Sequence, residues 1–147
     1  MKTLNYFITI HANREMVWNT MLRSETYKEW AKAFSDESQY EGEWKEGNFV
    51  NFFDPNMGGT KALLEVVVPH YHICARHVAI LSKDGTEDTE GEIAKKWIGV
   101  TEAYQLNENQ GVTELTIEIK THEDFEQMFN DSWPGALNLL KEICERS

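Results

Sequence analysis

The chain predicts an α+β fold: a strand and two short helices, then a six-stranded antiparallel meander, and last a long helix packed across the concave face of the sheet. Three observations predict it. Apolar and polar residues alternate, with turn signals between the runs, over residues 40–120. Ahead of that stretch lie one alternating run and two short patterns of helical period. The closing segment SWPGALNLLKEICERS places Trp133, Ala136, Leu137, Leu140, Ile143 and Cys144 on one helical stripe, and a sheet that buries one face needs such a cover. With 147 residues, 41% of them hydrophobic, and no repeat or low-complexity linker, residues 1–147 are expected to form one domain.

In chain order, Leu4, Tyr6, Ile8 and Ile10 share one face of a first strand that stops at HAN. Asn13 then caps a helix with Glu15 in its first turn and Val17, Trp18, Met21 and Leu22 on one side. Ser24 opens a second helix, where Tyr27, Trp30, Ala31 and Phe34 follow the spacing of a buried stripe. Residues 40–44 and 48–53 read as a hairpin across KEG, closed by PNMGG. Residues 62–68 are strongly β-branched and end at Pro69, and residues 72–81 form the next strand. The acidic segment SKDGTEDTEGE interrupts the meander, after which residues 97–106 and 112–120 pair across NENQG. The final helix is expected to start at Asp131 or Ser132, which puts Pro134 in a first turn that has no use for its missing N–H.

Charge and cysteine usage bound the partners. The chain has 14 lysines and arginines against 25 aspartates and glutamates, a net charge of -11, so nucleic acid and anionic membrane surfaces are not expected partners. The opening MKTLNYFITI lacks the basic region and unbroken apolar run of a secretory leader, and no stretch reaches membrane-spanning length. Cys74 and Cys144 are too few for a disulfide scaffold, and a reducing cytoplasm is the expected compartment.

The segments VWNTMLRSETYKEW, EGEWKEGNFVNFF, EVVVPHYHI, TEAYQLNENQGVTELTIEI and SWPGALNLLKEICE, in that order, resemble the START-like (SRPBCC) superfamily with its helix-grip fold. Within it they are most similar to the family named after the activator of the heat-shock protein 90 ATPase. The likeness covers nearly the whole chain, and its motifs are packing and turn signatures. It implies a cavity between sheet and last helix that binds a small apolar or amphipathic molecule. It implies two alternatives as well. One is a co-chaperone-like module with a protein partner; the other is a cyclase-like enzyme with His77 or Glu102 as general base and Tyr104 as acid.

Cofactor and nucleophile signatures are absent: G-x-G-x-x-G, the P-loop, G-x-S-x-G and H-E-x-x-H do not occur, and no cofactor is expected. DGTEDTEGE has alternating acids but lacks the glycine and terminal acid of a calcium loop. His70 and His72 have no carboxylate or cysteine at ligand spacing, so no metal is expected either.

Strand parity singles out polar residues at positions that should face inward. Asn51 shares a face with Phe49 and Phe53, His77 with Ile73 and Ala75, and Glu102 with Val100, Tyr104 and Leu106. Symmetric closure of the hairpins sets Asn51 opposite Ala62, Ala62 opposite His77, and His77 opposite Glu102, within one residue at each step. The expected polar belt is Asn51, His77, Glu102 and Tyr104. The expected apolar wall is Trp30, Phe34, Phe49, Phe53, Leu64, Val66, Ile73, Val100, Trp133, Leu137 and Leu140, with Trp97 in the same aromatic set and the acidic loop of residues 82–92 as a lid.

Overall fold

The computed structural model describes residues 1–146. β1 (Lys2–Ile10) opens the chain, and the Asn13 side chain then accepts the Met16 N–H at 2.8 Å, which starts α1 (Arg14–Leu22). α2 (Ser24–Trp30) follows and runs into one tighter turn, Ala31–Ala33. The meander comprises β2 (Gln39–Glu41), β3 (Phe49–Asp54), β4 (Gly58–Val68), β5 (His72–Leu81), β6 (Glu87–Asp88), β7 (Thr101–Asn109) and β8 (Val112–Thr121), with α3 (Glu92–Trp97) inserted before β7. α4 (Glu126–Glu145) is the last element.

All strand pairs are antiparallel, in the order β1-β8-β7-β5-β4-β3-β2, with the short β6 beside β5. α4 lies across the inner face. Its Phe129, Trp133, Ala136, Leu137, Leu140, Ile143 and Cys144 join one core with Leu64, Ile73, Val100, Ile117 and Ile119 from the sheet and Val17, Met21 and Trp30 from the short helices. Each fully buried Leu or Ile in that stripe contributes about 1.5–3 kcal/mol over an exposed one, which makes the stripe the main tie between helix and sheet. The far end of α4 also covers the open edge of β1: Lys141 Nζ donates to the Thr9 carbonyl at 2.8 Å, and the His11 N–H donates to Glu145 at 2.8 Å.

Three local expectations are corrected. α4 begins at Glu126, because Phe129 lies one turn before Trp133 and extends the buried stripe, and Pro134 therefore sits inside the helix. Trp97 ends α3 instead of starting β7. The helix EIAKKW has an acid in its first turn and lysines in its last, and Gly99 at φ 95 then turns the chain into the strand. The acidic segment before it holds β6, which pairs Glu87 with Leu81 and Asp88 with Ile80.

Candidate functional site

Under the first half of α4 the sheet and helix do not meet fully, and a cavity of about 290 Å³ remains. Its walls are aromatic: Tyr27 and Trp30 from α2, Phe34 just beyond, Phe52 and Phe53 from β3, Trp97 from α3, Tyr104 from β7, and Phe129 and Trp133 from α4. Helical spacing sets the α4 pair, since positions 129 and 133 lie one turn apart on the buried face. Trp133 stacks on Trp30 with centroids 6.1 Å apart and meets Phe34 edge-on at 5.1 Å. Trp97 stacks on Phe129 at 5.8 Å and touches the His77 ring at 4.7 Å. The most exposed lining residues, Phe34, Met57 and Met128, mark the mouth.

The polar side of the cavity is the pair His77 and Glu102, with residues only 2% and 9% exposed. Their atoms Nε2 and Oε2 are 2.7 Å apart. A carboxylate only accepts, so the imidazole presents its Nε2–H. The other ring nitrogen, Nδ1, is buried and has no partner. Burial pushes the phenols of Tyr27 and Tyr104 well above the ordinary tyrosine value, and the Glu102 charge adds to the effect in both. Both phenols thus stay protonated. At the mouth, Asp54 is held below the usual carboxylate range, chiefly by the Asn56 N–H with the Glu37 N–H as a further donor, and it stays ionised.

The structure sorts the expected site residues into three sets. Trp30, Phe34, Phe53, Trp133, His77, Glu102 and Tyr104 all border the cavity. Leu64, Ile73, Val100, Leu137 and Leu140 are buried but fill solid core away from it. Phe49 and Asn51 face the other way. On β3 it is Val50 and Phe52 that turn inward, while Phe49 is 49% exposed with Lys61 Nζ 4.6 Å from its ring centroid. That cation on the ring face offsets some of the cost of the exposed ring. Asn51 borders a separate depression beside Glu41, Leu81 and Lys83. Val66 is displaced by a bulge. Leu64 pairs with Ala75 and Val66 with Cys74, so Glu65 is an extra residue and Val67 takes the inward place opposite Ile73.

The predicted row of opposed residues also shifts. Ala62 lies opposite His77 and Asn51 opposite Lys61, both within one residue of the expected row, but Glu102 lies opposite Ala75, two residues from His77. His77 pairs instead across Val100, whose carbonyl accepts its N–H at 2.8 Å, so its side chain reaches Glu102 diagonally. None of residues 82–92 borders the cavity, so the lid expectation is not met; the element from that insertion that does border it is Trp97. Tyr27, Phe52, Phe129 and Asp54 were not foreseen. The spacing of Tyr27 before Trp30 and of Phe129 before Trp133 was the available signal for two of them.

These elements and their order settle the architecture. The chain has the helix-grip fold. Among solved structures it is similar to the Aha1 dimer from Colwellia psychrerythraea, at 22% identity and a TM-score of 0.75, covering 99% of this chain and 97% of that one. It is also similar to a structural-genomics protein from Mesorhizobium loti, at 13% identity and a TM-score of 0.79, covering 99% of this chain and 98% of that one. A protein from the dynemicin biosynthetic locus matches at 12% identity and a TM-score of 0.73, covering 99% of this chain and 48% of that one. Likeness at these identities shows the fold alone. No family model matches the chain, and no curated protein matches it. Among the described residues no helix is long and apolar enough to cross a membrane.

Proposed function

We propose that the protein binds a small amphipathic molecule in the cavity between its sheet and α4. The observation that carries this reading is the combination of an aromatic-walled space of about 290 Å³, near the lower end of the usual range for ligand sites, with the buried pair of His77 and Glu102 at its side. An apolar cavity binds by removing ligand surface from water, and a few fixed polar groups orient what enters. The protein-interaction reading draws on fold likeness to Aha1 and gains no residue from the site. Catalysis by the pair is the weaker reading, because Nδ1 of His77, the nitrogen left to act as base, has no exposed surface.

Native mass spectrometry of the protein isolated from its producing cell tests the proposal. The expected spectrum shows the chain together with a non-covalent adduct that is released on denaturation. A bare chain that also fails to bind small apolar probes added in solution would remove the ligand-binding reading.

A further inference from the structure

The charges around the cavity narrow the class of ligand. Two carboxylates, Glu102 and Asp54, border it, and its lining contains no lysine or arginine. Glu102 keeps 12% of its side-chain surface exposed, against 3% for His77, and as a cavity-lining residue it presents that surface to the space. Oε2 is engaged by His77. Among the described residues no hydrogen bond reaches Oε1. Oε1 is thus an acceptor open to whatever occupies the cavity.

A neutral imidazole donating through Nε2 leaves the carboxylate negative, and a proton on Nδ1 would add a buried N–H with no acceptor. Asp54 meanwhile uses its oxygens on the Asn56 and Glu37 N–H groups and stays negative at the mouth. An anionic ligand such as a fatty acid would therefore bring a third negative charge into a low-dielectric space. A neutral hydroxyl would satisfy Oε1 but leave the charge in place. A protonated amine satisfies both and a quaternary ammonium offsets the charge, and the surrounding rings of Tyr27, Trp30, Trp97 and Trp133 favour a cation near their faces. The net charge of -11 attracts cations from a distance.

We infer that the cavity selects cationic ligands, an amine or quaternary ammonium whose charged head seats against Glu102 while its apolar part lies among the rings. This rests on the cavity being a ligand site. The test uses two probes of one shape, phenyltrimethylammonium and tert-butylbenzene, titrated into the intact chain and followed by the fluorescence of its tryptophans. The cation is expected to bind roughly tenfold tighter than its carbon isostere. In Glu102→Gln the cation should lose about that factor while tert-butylbenzene keeps its affinity within about twofold, which also shows that the variant's cavity is intact. Equal or tighter binding of tert-butylbenzene by the native chain overturns the cation preference and leaves the cavity function standing. An unchanged cation preference in Glu102→Gln, or an equal loss for both probes, overturns the role of Glu102. If neither probe binds the native chain, the cavity function falls as well.

Discussion

A side chain built into the cavity separates a void from a packed core by the sign of its effect. Thr60 lines the cavity from β4, opposite Phe52, and among the described residues its hydroxyl makes no hydrogen bond. Thr60→Phe places a ring where the structure leaves space. Burying a phenyl group contributes about 1.5–3 kcal/mol, from which the rotamer freedom it loses subtracts up to about 1 kcal/mol. The expected net gain is about 1 kcal/mol, or a rise in Tm of about 2–4 °C for a chain of this size. Forcing the same ring into filled core costs about 1–3 kcal/mol instead. Urea unfolding followed by circular dichroism measures the difference, and the variant should also lose affinity for tert-butylbenzene. A destabilisation of more than about 1 kcal/mol at unchanged m would refute the idea that Thr60 faces free space.

Other outcomes follow from the same geometry. Leu140→Ala, at a buried position where α4 meets the sheet core, should lose about 2–5 kcal/mol in urea unfolding, and a loss under about 1 kcal/mol would deny that α4 clasps the sheet. Gly59→Ala puts a methyl carbon 1.9 Å from the Phe52 carbonyl oxygen, so the β3–β4 pair must spread; a cost on the order of 2 kcal/mol is expected, and a neutral substitution would contradict the close approach. Tyr27 and Tyr104 have folded-state values raised above the ordinary 10.0, so their contribution to stability is whole below about that pH and is lost as pH rises beyond it. An alkaline absorbance titration should show these two phenols ionising only as the chain unfolds, and their reversible ionisation in the folded chain near the ordinary value would contradict their burial.

Much of this was legible in the sequence, and the failures have local causes. β5 keeps strict alternation from Ile73 to His77, and β7 does so from Glu102 to Leu106, so the parity that joins His77 to Glu102 could be read directly. In β3 the two faces of FVNFFD are nearly equal in apolar content, Val50 and Phe52 against Phe49 and Phe53, and pattern alone does not choose between them. Val66 was misplaced because a bulge at Glu65 leaves no compositional mark. The boundary between cavity and solid core was invisible for a different reason. Trp133, Leu137 and Leu140 share one stripe of α4, yet the first borders a space and the other two fill one, and only the opposing side chains decide which. Trp97 was grouped with the right aromatics on the wrong element, since a six-residue helix followed by a glycine turn resembles the start of a strand in an apolar run.

The central claim, that a space between sheet and α4 admits a small molecule, is tested most directly through the indole N–H resonances of the five tryptophans. Trp30, Trp97 and Trp133 border the cavity, while Trp18 lies outside it with its ring 5.9 Å from His70. Titration with tert-butylbenzene should move the three cavity signals together and saturably and leave that of Trp18 in place. Signals that all stay still, or a shift confined to Trp18, would contradict the account.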